Sequence, residues 1–176
     1  MKNTQIGLIL IVILQQICNG QVNTPNGVPV PAAALFVYSA VKYSDAQLQS
    51  EQNNIQNGAY GSSCVILSGY SRNYNCHGYA WHVSTGGAQT CIDQVSGGGV
   101  TPYAAGVNPS YTQTSYNSTI GKTRIRYSGD HSAVTTFDGK FISKWGPGPL
   151  VKHNALDVPL AMATRRRVGP VNMLHH

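Results

Sequence analysis

The spacing of apolar residues predicts one surface helix and one buried strand in the first half of the chain. Ser44 followed by Gln47 is a capping-box pattern, and the polar run after it carries Leu48 and Ile55 at positions that predict inward-facing sites on a helix. Residues 64–67, with the sequence CVIL, form a short apolar run. This run predicts a short buried strand.

The second half of the chain changes to strand-like patterns. The segments KTRIRY, HSAVTTF and KFISKW begin at Lys122, His131 and Lys140 and carry the alternation and residue types of strands. Asp138-Gly139, between the last two segments, is a two-residue hairpin signal. We therefore predict three successive antiparallel strands and, with the helices, an α+β fold.

The first 20 residues have the pattern of a signal peptide. Lys2 supplies the positive charge, residues 6–14 are an apolar run of signal length, and Cys18 and Gly20 are the small residues before a cut. The apolar run is too short to span a bilayer with any margin. We therefore expect a secreted protein, extracellular or periplasmic, without stable membrane insertion after cleavage.

The remaining chain divides by composition into an arm, a domain and a tail. Residues 21–43 are rich in Pro, Val and Ala and predict an extended arm with one strand over 34–41. Residues 44–160 are the predicted domain, within which 86–118 has little periodicity and predicts an irregular loop with small helical turns. Residues 161–176 are predicted to form a basic tail.

Charge and composition narrow the classes of function. The formal net charge of +6 suits contact with anionic polymers such as a cell wall or a membrane surface, and it suits an ordinary basic secreted domain equally well. Nucleic acid is not expected as a partner, because the basic residues are scattered outside Arg165–Arg167. The 6 acidic residues form no pair suited to glycoside hydrolysis. No motif predicts a cofactor, and the pattern does not predict an oligomeric state.

The segment NYNCHGYAWH, residues 73–82, carries the most specific chemical signal. Cys76 begins a short predicted helix that runs to Val83, and Asn75 is its natural N-cap. Free amides and the positive end of the helix dipole at that position favour a thiolate and can receive an oxyanion. A buried structural cysteine is the alternative interpretation.

Cysteine pairing decides between these interpretations. Outside the signal peptide the chain has Cys64, Cys76 and Cys91, an odd number for a compartment in which thiols normally pair. A disulfide between Cys64 and Cys91 would leave Cys76 free as a nucleophile. Pairing of Cys76 with either of the other two is the alternative, and it would abolish the nucleophile.

Histidines are the candidate proton acceptors. His131 stands at the predicted start of the middle strand, where an imidazole can face a cleft, and it is a candidate base for an unpaired Cys76. His77 and His82 raise the alternative of a metal site with Cys76. Because consecutive residues point in different directions on a helix, and because no HExxH or paired CxxC motif is present, we predict no metal site.

Three motifs, RNYNCHGYAW, GDHSAV and SKWGPGPLVKH, together resemble the papain-like superfamily in its compact NlpC and CHAP form. They resemble more closely the motifs of small secreted bacterial proteins assigned to that superfamily, over about Ser71 to Pro159. The resemblance implies a Cys-bearing helix packed on an antiparallel sheet. It also implies the activity of a cysteine amidase or endopeptidase.

The resemblance implies roles for individual positions. Cys76 matches the nucleophile, His131 matches the general base, and Trp81 matches the aromatic residue that packs the helix on the sheet. The group that orients the imidazole is expected on the strand after the histidine or a little beyond it, which points to Ser143 or His153. His153 ranks first because a neutral imidazole can accept a hydrogen bond from the base. Asn75 and Ser143 are the expected supporting or oxyanion residues.

The predicted function is that of a secreted cysteine hydrolase that cleaves amide bonds, first of all in the stem peptides of peptidoglycan. The sequence leaves two other classes open. One is a binding module of the same fold that has lost catalysis. The other is a protein deamidase or transglutaminase-type toxin that uses the same Cys76 and His131.

Overall fold

The computed structural model describes residues 20–94, 98–105, 107–114, 121–127, 130–159 and 171–175. The predicted signal peptide lies outside these residues except for Gly20, and the Arg165–Arg167 run lies outside them entirely. Within the described ranges, no helix combines the length and the apolar character needed to cross a membrane.

The helical elements are short apart from one. They are α1 (Asp45–Gln56), α2 (Cys76–Trp81) and α3 (Thr101–Ala104), with 3-10 turns at Ala32–Ala34 and Val83–Thr85. The predicted capping box is present at α1, where the Ser44 hydroxyl accepts from the Gln47 amide and the Gln47 side chain accepts from the Ser44 amide. Leu48 and Ile55 are buried, as the spacing predicted.

Antiparallel pairing joins all the strands of the described chain. The strands are β1 (Leu35–Phe36), β2 (Val65–Ser68), β3 (Cys91–Ile92), β4 (Tyr111–Thr114), β5 (Arg124–Arg126), β6 (Ser132–Thr135), β7 (Phe141–Lys144), β8 (Leu150–His153) and β9 (Val171–His175). A seven-stranded sheet has the order β2-β8-β7-β6-β5-β9-β4, and β1 pairs with β3 in a separate two-stranded sheet. This mixture of helices and antiparallel sheet confirms the α+β class.

The three strands predicted in succession are β5, β6 and β7, which are neighbours in the sheet. The predicted hairpin turn joins β6 to β7, and Gly139 has a φ of 73° there, a left-handed conformation that glycine adopts without strain. His131 lies one residue before β6, and its carbonyl accepts from the Tyr127 amide. The backbone around His131 is therefore held by the β5–β6 pair.

Two strand predictions in the first half of the chain need correction. The segment 64–67 is not buried, because β2 lies at the edge of the seven-stranded sheet and leaves Val65 54% and Leu67 47% exposed. In the arm, only Leu35 and Phe36 of the predicted strand 34–41 pair with another strand, since their sole partner, β3, is two residues long. An apolar run alone does not reveal whether a partner is present on each side.

Two segments predicted to be irregular also contribute strands to the sheet. Residues 171–175, assigned from the sequence to a basic tail, form β9 between β5 and β4. Residues 86–118, predicted as a loop, include β3, α3 and β4. The arginines and glycines near these segments indicate irregular structure. The short strands are not visible in the sequence because their pairing partners are far away along the chain. The folded domain therefore extends beyond residue 160.

Helix α2 packs on the sheet through Trp81. The Trp81 side chain is fully buried, its Nε1 donates to Ser132 Oγ on β6 at 3.0 Å, and its ring meets the Tyr111 ring edge-on at 5.6 Å. This contact confirms the packing expected for Trp81. Next to Trp81, at the same C-terminal end of α2, the Ala80 carbonyl accepts from Arg124 on β5 at 3.1 Å. The helix is thus attached to two adjacent strands.

Gly78 allows α2 to approach the chain before β3 closely. A Cβ atom at this position would lie 1.8 Å from the Thr90 carbonyl oxygen. Asn75 uses the same close approach, because its Oδ1 accepts from both the Gly78 and the Ile92 amides and its Nδ2 donates to the Ile92 carbonyl. The predicted N-cap is confirmed, and it also fixes the start of α2 to β3.

Asn75→Ala is therefore expected to cost more than an ordinary helix cap. The free energy of unfolding should fall by about 2–4 kcal/mol, because an N-cap contributes about 1 kcal/mol and buried backbone groups left unpaired add roughly 1–3 kcal/mol. Denaturant titration measures the loss, and Asn73→Ala, at an exposed position of the same segment, is the control. Equal small losses in both variants would show that Asn75 does not fix α2 to β3.

Candidate active site

Cys76 is a buried free cysteine at the first position of α2. Burial by itself raises the pKa of the thiol, but the positive charges of His77 and His131 outweigh burial and hold the pKa well below its ordinary value. The Cys76 Sγ lies 3.9 Å from the Asp130 carbonyl oxygen, so the thiol lies against the segment that leads into β6. Of the two histidines, His77 has the larger effect on this pKa.

His77 lies beside Cys76, although the sequence analysis raised it only as a possible metal ligand. Its Nε2 lies 2.7 Å from Asp130 Oδ1 and its Nδ1 lies 2.8 Å from Ser132 Oγ. Burial lowers the pKa of His77, but the Cys76 thiolate and the Asp130 carboxylate outweigh it and raise the pKa overall. The hydrogen bond from His77 lowers the pKa of Asp130 in turn. His77 and Asp130 are therefore an ion pair beside Cys76.

The proton positions around His77 follow from its partners. A carboxylate only accepts, so the Nε2 hydrogen of His77 is donated to Asp130. Trp81 Nε1 only donates, so Ser132 Oγ accepts from it and can either accept from or donate to His77 Nδ1. Both ring nitrogens of His77 are thus occupied in either protonation state. His77 thus places a positive charge beside the Cys76 thiol, with which it also hydrogen-bonds.

His131 has the opposite character. Its side chain is fully buried, and among the described residues neither Nδ1 nor Nε2 has a hydrogen-bond partner in acceptable geometry. Its charge nevertheless acts on the Cys76 thiol, and its ring lies 5.1 Å from the Tyr127 ring between centroids. A hydrogen bond with His131 also contributes to the lowered pKa of Cys76. A buried imidazole that is within reach of a thiolate and has no other hydrogen-bond partner among the described residues is suited to accept and return a proton.

His153 does not orient the His131 imidazole, as the sequence had suggested. His153 was the first candidate to orient His131, but its Nδ1 donates to the Asn154 carbonyl at 2.6 Å and its Nε2 lies 2.7 Å from Ser143 Oγ. Burial lowers the pKa of His153 to about 4, so the ring is neutral and Nε2 accepts the Ser143 hydroxyl hydrogen. Both nitrogens are occupied away from His131, and the predicted role of His153 is wrong.

Ser143 does not contact the candidate nucleophile either. Its Oγ accepts from Trp145 Nε1 at 3.0 Å and donates to His153, which completes a buried polar network. The β7–β8 register explains this arrangement, because Ser143 lies opposite Val151, and Phe141 lies opposite His153. Ser143 thus belongs to the core beneath β7 and β8 and is not an oxyanion residue.

The remaining predictions concern the cysteines and Asn75. The expected disulfide between Cys64 and Cys91 is absent, and both are free together with Cys76. Cys64 Sγ lies 3.6 Å from the Tyr60 carbonyl before β2, and Cys91 Sγ lies 3.4 Å from the Arg72 carbonyl, so the two thiols face different parts of the backbone. Both polar atoms of the Asn75 side chain are occupied by backbone groups. An oxyanion at Cys76 would depend on backbone amides at the start of α2, which lack partners within the helix.

The structure therefore brings together Cys76 and His131 as predicted and adds His77, Asp130 and Ser132. The sequence contains a signal for the added residues, since Asp130 and Ser132 flank His131 in the motif GDHSAV. Comparison of the chain with protein-family models, with curated proteins and with solved structures finds no match to any of them.

Proposed function

We propose that this chain is a papain-like cysteine hydrolase that cleaves amide bonds through a covalent thioester at Cys76. The observation that carries the proposal is the pair of histidines around the thiol. His77 is held as a charged partner by Asp130, whereas His131 is buried beside Cys76, lowers the pKa of its thiol and has no other hydrogen-bond partner among the described residues. This division supplies a stabilised thiolate and a separate proton carrier, the two groups that nucleophilic cysteine catalysis needs.

The proposed reaction uses these groups in sequence. The Cys76 thiolate attacks the amide carbonyl carbon, and the carbonyl electron pair moves to oxygen to form the tetrahedral oxyanion. As the oxyanion collapses, the C–N bond breaks and protonated His131 gives its proton to the leaving nitrogen. Water then attacks the thioester and gives a proton to His131. Cleavage of the C–S bond releases a carboxylic acid and returns the thiolate.

The proposed substrate is an amide in the stem peptides of peptidoglycan, and the proposed site of action is outside the cytoplasm. The resemblance of the three motifs to secreted cell-wall amidases supports this choice. The excess of basic residues is compatible with an anionic wall polymer. The signal-peptide pattern of residues 1–20 supports export.

Digestion of purified sacculi tests the proposal. The mature protein is expected to release soluble fragments with a new amine and a new carboxyl group, identified by mass spectrometry. Cys76→Ser should abolish release because an alcohol beside an imidazole of this kind is a far weaker nucleophile than a thiolate. Cys64→Ser, at a half-buried free cysteine outside the site, should retain it.

Other outcomes of the same assay identify the alternative functions. Binding to sacculi without any released fragment, in both the wild type and Cys76→Ser, would favour a binding module of this fold. Failure on sacculi combined with conversion of protein glutamine to glutamate, or with glutamine–amine cross-links, would favour a deamidase or transglutaminase. Either result would overturn the peptidoglycan assignment, and only the first would overturn catalysis.

A further inference from the structure

Lys144 is a buried cation for which the proposed reaction has no role. It is the last residue of β7, and its exposed fraction is 0%. Its Nζ lies 3.0 Å from the Ser71 carbonyl oxygen and 2.9 Å from that of Gly146, and it also donates to the Gly148 carbonyl. The same Nζ lies 4.9 Å from the centre of the Tyr74 ring, over its face. A fully buried lysine without a carboxylate partner among these contacts requires an explanation.

The contacts favour the charged form of Lys144. An ammonium group has three hydrogens and no acceptor, which matches three carbonyl oxygens and an aromatic face. A neutral amine would have to direct its lone pair at one of these electron-rich groups. Burial lowers the pKa of Lys144 to about 7, and the interactions with Cys91 and Cys76 act in the opposite direction. The three carbonyl oxygens and the Tyr74 ring are thus a binding site for an ammonium group.

The groups that Lys144 contacts belong to the two segments next to the nucleophile. Ser71 and Tyr74 lie in the loop that leads to Cys76, and Gly146 and Gly148 lie in the turn between β7 and β8. A backbone hydrogen bond of 3.0 Å from the Ser71 amide to the Pro147 carbonyl joins the same two segments. Gly146 has a φ of 58°, a left-handed conformation that turns its carbonyl within the reach of Nζ. Lys144 thus stands at the junction between the sheet and the loop before Cys76.

We propose that Lys144 is a positioning residue for Cys76, whose ammonium holds the loop 71–75 against the turn 145–149 and adds positive charge to the field at the thiolate. The inference rests on the proposed cysteine chemistry. Lys144 touches neither the substrate nor the reacting atoms, and it acts through the loop that carries the nucleophile. Among the described residues, the other titratable groups that interact with the thiol are His77, His131, Cys91 and Tyr38, and Asp130 hydrogen-bonds to His77.

The test is the rate of alkylation of Cys76 by iodoacetamide against pH, located by peptide mass spectrometry. Lys144→Met keeps the length of the side chain and removes its charge. It is expected to move the midpoint of Cys76 reactivity upward by about one pH unit, which is about a tenfold lower rate below the wild-type midpoint. Lys144→Arg keeps the charge and is expected to restore the midpoint to that of the wild type, whatever its melting temperature.

Lys152→Met is the matched control. Lys152 lies on β8, and its Nζ pairs with Asp138 at 2.7 Å on the surface of the same hairpin. Its loss should leave the midpoint unchanged. A folded Lys144→Met protein with the wild-type midpoint would overturn the inference, because a merely structural lysine would change stability without changing the thiol.

A measurement on the wild type covers the case in which Lys144→Met does not fold. Nitrogen and carbon chemical shifts of the Lys144 ammonium, recorded by NMR at pH 6, are expected to show a charged group with slowly exchanging hydrogens, and a neutral amine would overturn the inference. Failure of the proposed function has a different signature. In that case, the wild-type Cys76 itself would react as an ordinary thiol, with a midpoint near about 8.5.

Discussion

His131→Ala is expected to separate the two halves of the reaction. With an activated ester such as p-nitrophenyl acetate, the leaving group needs no proton, so the Cys76 thiolate should still be acylated at an appreciable rate. Hydrolysis of the thioester requires a base to take a proton from water, and this step should slow by about 10²–10⁴-fold. The expected result is a burst of one nitrophenolate per protein molecule, followed by very slow turnover. Intact-mass measurement should show the accumulated acyl-enzyme.

His153→Gln is the matched control for this experiment. His153 is also a buried histidine of the sheet, but both of its ring nitrogens are occupied by Ser143 and Asn154. Its replacement should affect stability and leave the ratio of acylation to deacylation unchanged. If His153→Gln accumulates acyl-enzyme and His131→Ala does not, the proton carrier is not His131.

His77→Gln is expected to raise the pKa of the Cys76 thiol. The amide can keep hydrogen bonds to Asp130 and Ser132 but carries no charge, so the thiolate would lose the largest of the positive charges that oppose its burial. Reactivity should be lost in the window between the lowered wild-type pKa and the ordinary value of about 8.5. We expect a fall of about 100-fold near the lower end of that window, equivalent to a shift of about two pH units.

The upward shift of the His77 pKa in the folded protein predicts how stability depends on pH. Because the pKa of His77 is raised in the folded protein, its stabilising contribution is complete below the unfolded pKa of about 6.5 and is lost as pH rises through the raised value. The difference in the free energy of unfolding between the wild type and His77→Gln should therefore shrink at high pH. Denaturant titrations at several pH values measure it.

His82→Gln is the control for the charge of His77. His82 caps the other end of α2, hydrogen-bonds to Tyr103, and has its pKa lowered by burial. It is not among the groups that shift the pKa of the Cys76 thiol, so its loss should not move the reactivity of Cys76. An equal shift in both variants would mean that disturbance of α2, and not charge, controls the thiol.

Local signals in the sequence predicted several parts of the fold correctly. The capping box at Ser44, the N-cap at Asn75 and the hairpin at Gly139 depend on residues within a few positions of one another. Their geometry is determined by local hydrogen bonds and backbone preferences, so the local sequence is enough to predict them. The placement of Cys76 at the start of a helix and of His131 at the start of a strand follows from the same signals.

The partners of the site could not be predicted because they depend on register between distant elements. The contact of His77 with Ser132 requires knowing which face of α2 meets β6. The loss of His153 as a candidate depends on the diagonal contact with Ser143 across β7 and β8. A shift of one residue in either pairing would exchange these side chains with others on the opposite face.

The number of cysteines in the sequence does not show how many of them are free. An odd number of thiols predicts that one stays unpaired, but it does not exclude that all three do. Cys64 and Cys91 lie on different sheets or their approaches, and each faces a backbone carbonyl. Only the relative position of the two sheets shows that they do not form a bridge.

The most direct test of the account is the pH profile of Cys76 alkylation in the mature, non-reduced wild-type protein, located by peptide mass spectrometry. The account predicts a free thiol that reacts rapidly well below the ordinary pKa of about 8.5 and keeps a level rate as pH rises further. Cys64 and Cys91 should not share this behaviour, because burial raises the pKa of both thiols. A Cys76 found in a disulfide, or one that follows an ordinary thiol titration, would contradict the proposed catalytic role.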